Sequence, residues 1–156
     1  MSADIEKVFL GEKLVAVHVL GFPDGKVTPI SSEDGALQLM TMKRAKGDAA
    51  KAHRHIPKKR ETTILQECLI VLKGSVRYDL FDEAGKCFKE IFVREGEAIL
   101  ILGVGHAVHF LEDSEVYELK NGPFIDDKVF IEWGVIRSVF LAHYGLCAID
   151  LCVYQW

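Results

Sequence analysis

A chain of 156 residues, 49% hydrophobic and 27% charged, is the size of one domain with enough apolar side chains to bury a core. A formal net charge of -4, without a long basic block or Arg-rich stripe, argues against a nucleic-acid partner. The first residues lack a basic segment leading into an apolar one, so the sequence points to a cytoplasmic protein, and Cys68, Cys87, Cys147 and Cys152 form no CxxC pair and read as reduced, packed thiols.

Residues 13–20 (KLVAVHVL) are short and rich in β-branched side chains, which predicts a strand closed by the turn-forming Gly21-Phe22-Pro23-Asp24-Gly25. Residues 35–43 alternate, with Leu37, Leu39 and Thr41 on one side and Gln38, Met40 and Met42 on the other, and predict a second. After a turn at 45–48, residues 49–55 are expected to run extended. A strand has a side-chain period of two, so His53 and His55 would share one face and Arg54 the other. Pro57 and the charges that follow it end this segment in a loop, where Lys58, Lys59 and Arg60 could guide an anionic substrate.

From residue 62 the chain turns β-forming again. Gln66 and Glu67 precede the apolar run Cys68-Leu69-Ile70-Val71-Leu72, residues 75–81 alternate, and 82–86 carry hairpin chemistry before a partner strand at 87–93. A short buried strand is expected at 98–102 and a turn at Gly103-Val104-Gly105. The strand after it has His106, Val108 and Phe110 on one face and Ala107, His109 and Leu111 on the other. Residues 115–120 alternate once more. Many short strands with Gly-rich turns and no long helical pattern predict an all-β sandwich or barrel. The apolar tail, 129–156, contains ionisable residues that make a membrane span costly. It is expected to pack on the barrel or on a second subunit, with Trp133 and Trp156 as anchors.

His53, His55, Glu67 and His106 together supply three imidazoles and one carboxylate, a mixed N/O set suited to a divalent ion such as Fe, Mn, Ni or Zn. Four protein ligands on a five- or six-coordinate ion leave a position open for water or substrate, as a catalytic metal requires.

The stretch Gln66-Glu67-Cys68-Leu69-Ile70-Val71-Leu72-Lys73-Gly74 resembles the Glu-to-Gly end of the first cupin motif, and Gly96 through His106 resembles the second. With His53-Arg54-His55 upstream, the chain resembles the cupin superfamily, in particular small single-domain bacterial members. The resemblance implies a double-stranded β-helix (jelly-roll barrel) over residues 1–128, a C-terminal extension over 129–156, and His53, His55, Glu67 and His106 as ligands of one divalent metal. The chain departs from the family pattern in the long gap between His55 and Glu67 and in lacking the proline and closing asparagine of the second motif. These departures make His109 a rival to His106, with strand parity favouring His106. Gln38, Met40, Arg60, Tyr78 and His109 are candidate substrate contacts. The expected activity is metal-assisted isomerisation or dioxygenation of a small oxygenated compound, the alternative a non-catalytic binding or sensing barrel, and the expected assembly a homodimer without nucleic-acid or membrane partners.

Overall fold

The computed structural model describes residues 4–131, and none of these is helical. The C-terminal extension expected at 129–156 therefore falls, beyond residue 131, outside the described residues. The strands are β1 (Ile5–Leu10), β2 (Lys13–Val19), β3 (Thr28–Pro29), β4 (Met40–Thr41), β5 (Glu67–Lys73), β6 (Ser75–Phe81), β7 (Cys87–Arg94), β8 (Ala98–Ile101), β9 (Gly105–Phe110) and β10 (Glu115–Lys120). They form a five-stranded sheet in the order β1-β2-β8-β5-β10, a three-stranded sheet β7-β6-β9 and the small pair β3-β4, all antiparallel, and among the described residues no sheet closes on itself.

The two larger sheets pack face to face on one core. Val8, Ala16, Leu69, Val71, Ile99 and Ile101 come from the five-stranded sheet, and Val76, Tyr78, Leu80, Ile91 and Val93 from the three-stranded one. A second cluster, Val17, Val19, Ile30, Cys68 and Leu100, lies on the other face of the five-stranded sheet, where Leu37 and Leu39 pack against it. Burial on both faces explains why 68–71 and 15–17 read as unbroken apolar runs, whereas one-sided strands alternate. The turn joining β5 to β6 requires glycine: Gly74 has φ 81°, and a Cβ there would lie 2.7 Å from the Asp113 carbonyl oxygen and 2.5 Å from Ser114 Oγ.

Three stretches differ from the sequence expectation. Strand β1 lies outside the strands the sequence predicts; it pairs with β2 through a bulge at Val8/Phe9. Of the strand expected at 35–43, only Met40–Thr41 forms a ladder, because side chains take the other amides: Leu37 N–H donates to Gln66 Oε1 (2.8 Å) and Leu39 N–H to Ser31 Oγ (2.8 Å). Residues 49–55 form no strand at all. They belong to a stretch, 42–65, that is exposed throughout and holds eight of the chain's 19 Lys and Arg, so its central part has no apolar face to lay on a sheet. No helix among the described residues is long and apolar enough to cross a membrane.

Candidate functional site

The register of the two sheets decides which polar side chains meet between them. In the five-stranded sheet, Glu67 opens β5 opposite Lys120 of β10 on one side and Ile101 of β8 on the other. Directly paired residues point to the same face, so Glu67 and Lys120 both face the core side with Ile101. In the three-stranded sheet His106 pairs with Leu80, a core residue, and so faces the same interior. Glu67 and His106, distant in sequence and carried by different sheets, meet with Glu67 Oε2 2.9 Å from His106 Nε2. Lys120 Nζ lies 2.6 Å from the other oxygen, Oε1, and 3.4 Å from Glu118 Oε2.

Proton positions follow from the partners. His106 Nδ1 donates to the Val104 carbonyl (3.0 Å), and because a carbonyl only accepts, Nδ1 carries a hydrogen. A nitrogen 2.9 Å from a carboxylate oxygen also carries one, so His106 sits as an imidazolium against Glu67. Burial by itself lowers the His106 pKa, but the Glu67 contact, the Val104 carbonyl and the carboxylate charge outweigh it and raise the value above the ordinary range. The His106 contact, opposed by burial and reinforced by Lys120, holds the Glu67 carboxyl down to about 2. Burial also pushes Lys120 down, and its contact with Glu67 more than restores it, so the ammonium stays charged. The Tyr78 ring lies 5.8 Å from that of His106; burial first, then the charges of Glu118 and Glu67, raise its hydroxyl pKa.

The ends of the strands that carry this cluster are pinned. Gln66 N–H donates to Asn121 Oδ1 (2.7 Å), Asn121 Nδ2 donates to the Ile64 carbonyl (3.1 Å), and Gln66 Oε1 holds Leu37 as described above. The cluster thus sits on two tied strand ends, with His106 one-quarter exposed at its opening.

The remaining candidates are distributed around the fold. His53 and His55 lie in the exposed 42–65 stretch with ring centroids 5.2 Å apart, edge to face, and His53 Nδ1 donates to the Lys51 carbonyl. Among the described residues, no three His, Cys, Asp or Glu side chains come together as a set that could hold a metal ion. Glu67 and His106 are residue types that ligate divalent ions and the carbonyl-anchored Nδ1 fixes the ring, but Nε2 carries the hydrogen it gives to Glu67 here and would have to lose it to act as a ligand. In this arrangement His53 and His55 do not join them. Gln38 spends its amide on the carbonyls of Ser32, Glu33 and Gly35. Met40 is exposed in β4, and Arg60 belongs to the exposed stretch.

His109 lies on the opposite face of β9 from His106, paired with Arg77. There it approaches Asp79 Oδ2 at 2.9 Å, while Arg77 Nε reaches Asp79 Oδ1 at 2.8 Å. Only Tyr78 of the candidate substrate contacts adjoins Glu67 and His106. The sequence alone does not single out Lys120. The signal that points to it is an opposite charge in cross-strand register with Glu67, which becomes visible only once β5 and β10 are known to be neighbours.

Comparisons with protein-family models, curated proteins and solved structures found no match, so the family resemblance stands on the motif residues alone.

Proposed function

We propose that this chain is a small cupin-type barrel, a double-stranded β-helix that binds one divalent ion (Fe, Mn, Ni or Zn) at Glu67 and His106. On this reading it is an enzyme acting on a small oxygenated compound, a sugar or a carboxylate or keto compound, by isomerisation or dioxygenation. The observation that carries the reading is the meeting of Glu67 and His106 across the two sheets at 2.9 Å, with Nδ1 tied to a backbone carbonyl. His53 and His55 complete the ligand set if the 42–65 stretch adds to the edge of β9, which pairs only with β6 among the described residues. A bound ion supplies Lewis-acid polarisation of a substrate oxygen. Tyr78 and the apolar residues around it form the wall that excludes water behind His106.

The same reading takes the working form as a homodimer in the cytoplasm. Exposed Phe124, Ile125, Val129 and Phe130 favour a partner surface, and the free thiols of Cys68 and Cys87 suit a reducing compartment.

A second reading, a binding or sensing barrel without catalysis, is favoured by Lys120. With His106 on one oxygen of Glu67 and Lys120 on the other, the carboxylate is already compensated and can serve to order a ligand pocket.

The test is metal content of chelator-free protein for wild type, Glu67→Gln and His106→Ala, followed by oxygen uptake and isomerisation assays on sugars and diketones. Stoichiometric metal in the wild type and none in the variants is the expected result. Wild-type protein refolded with Fe, Mn, Ni or Zn that retains no metal overturns the metal site. A loaded protein that binds sugars and turns none over selects the second reading.

A further inference from the structure

The outer strands of the two larger sheets differ in what borders them. On one side of the sandwich β1 and β7 are tied to each other, Lys89 Nζ to Glu6 Oε1 at 3.0 Å, and β1 is bent by its bulge at Val8/Phe9. On the five-stranded sheet's other edge, β10 pairs only with β5 among the described residues, and of its six residues only Val116 is partly covered. Its outer face shows Tyr117, 62% exposed, and Leu119, 46% exposed, beside Leu72 of β5. The backbone there is set for a neighbour. Asn121 N–H donates to the carbonyl of Gln66, just before β5, so the odd-numbered residues of β10 spend their amides and carbonyls on that side and Val116, Glu118 and Lys120 turn theirs outward.

An edge of this kind accepts another strand, and the side chains decide which. A two-fold axis perpendicular to the sheet brings β10 of a second copy against β10, antiparallel, with outer face beside outer face. Centred on Glu118, the pairing sets that carboxylate against its own copy. Centred on Tyr117, it sets Glu118 against Val116 and Leu119 against Glu115. Centred on Leu119, it sets Glu118 against the partner's Lys120 on either side of the axis and joins the two leucines on the apolar face. Lys120 then lies in one row between its own Glu67 and the partner's Glu118. With His106 as an imidazolium against Glu67, each copy brings equal numbers of carboxylates and cations to that row.

We propose that β10 is the interface between two copies of this chain, joined edge to edge with Leu119 on the axis and Glu118-Lys120 pairs flanking it. The proposal rests on the homodimer reading given above and names its surface. A joint of one short strand from each copy is at the small end of specific interfaces, so the dimer dissociates on dilution into about the micromolar range.

Sedimentation velocity over a range of concentrations compares full-length wild type with Glu118→Lys and Glu118→Pro, each first checked for native far-UV circular dichroism. The first sets like charges against each other across the joint. The second removes an outward N–H that β5 does not use. Both raise the dimer dissociation constant about tenfold or more. The register is read by oxidising Leu119→Cys and Tyr117→Cys proteins, each in a chain that also carries Cys68→Ala, Cys87→Ala, Cys147→Ala and Cys152→Ala, because Leu119 stands opposite Cys68 in the ladder. On the axis the two Cα atoms come within disulfide range, whereas the Tyr117 positions of the two copies are about 13 Å apart, so Leu119→Cys cross-links about tenfold faster or more. If the cysteine-free chain does not fold, the Glu118 variants, which keep the native cysteines, decide alone. Faster cross-linking at Tyr117→Cys overturns the proposed register. A wild-type dimer that both Glu118 variants leave intact overturns the interface and leaves the homodimer standing. Wild type that stays monomeric at every concentration overturns both.

Discussion

Two histidines face the interior of the sandwich, one carried by each of the two larger sheets, and each is held by a carboxylate. His106 meets Glu67 beside the β5-β10 edge; His18 of β2 meets Glu97 at 2.8 Å, with Glu6 of β1 3.9 Å from its other nitrogen. Around His18 the polar groups close on themselves: Glu97 Oε2 also accepts from the Arg94 amide, Glu6 binds Lys89, and the His18 side chain is only 4% exposed. His106 is 25% exposed, its Nδ1 is fixed by a backbone carbonyl, and its sheet edge is open among the described residues. A histidine enclosed by satisfied partners braces strands together. One tied at a single nitrogen, with an opening beside the other, can exchange its partner.

Replacing the two residues separates these roles, and the largest effect is expected at His18. His18→Ala strips Glu97 of its partner in a sealed site and opens a cavity, which costs about 3 kcal/mol or more. His106→Ala releases Glu67 to Lys120, which remains in contact, so the loss is held to about 1–2 kcal/mol. Urea denaturation of both variants at pH 7 reads the difference. Equal losses would make His106 a brace like His18 and remove the ground for treating its pocket as the functional one.

The contrast also has a pH signature on the Glu67 side. Glu67 is lowered from 4.5 to about 2, so its contribution to stability is complete above its unfolded value and is lost as pH falls from there through the folded one. His106 is raised above 6.5, so its contribution is complete below that value and disappears as pH rises through the folded one. The pair therefore stabilises the fold most between pH 4.5 and 6.5. Subtracting the unfolding free energy of Glu67→Gln from that of wild type should give a curve highest in that window, at about 2 kcal/mol, and falling on both sides. A flat difference from pH 3 to pH 9 would mean that the pair is solvated and energetically idle.

Much of the scaffold on which these sites sit could be read from the residues. Strands β6 and β10 span the residues whose alternation announced them, and the hairpin between β6 and β7 is closed as its sequence suggests, with Asp82 Oδ1 accepting from the amides of Ala84 and Lys86. The opposite facing of His106 and His109 also followed from the period of a strand. What escaped depends on partners far away in the chain. The alternation of 35–43 is real, but Ser31 and Gln66 supply acceptors that compete with a ladder. Lys120 is one of many lysines until β10 is placed beside β5. For His53 and His55, the period of two could only say that they share a face if a strand forms, and the flanking charges supply no burial to form one.

The smallest expected change in stability belongs to that last pair, and it sharpens the comparison between braced and exchangeable groups. His53 and His55 are exposed, and among the described residues the one hydrogen bond of either runs from His53 to the carbonyl of Lys51 two residues away. Replacing both with alanine should leave the unfolding free energy of metal-free protein within about 0.5 kcal/mol of wild type. If the stretch closes on the Glu67-His106 pocket around an ion, its exposed lysines and arginines become harder to reach. Tryptic cleavage within 42–65 should then slow about tenfold in wild type when Zn(II) or Mn(II) is added. The His53→Ala/His55→Ala protein, unchanged in stability, should show no such protection, because the ion no longer bridges the stretch to the sheet. Protection that survives in the double variant would show that closure uses other contacts and would remove both histidines from the ligand set. Wild-type protein that binds the ion and stays equally open to trypsin would leave Glu67 and His106 to hold it without the stretch.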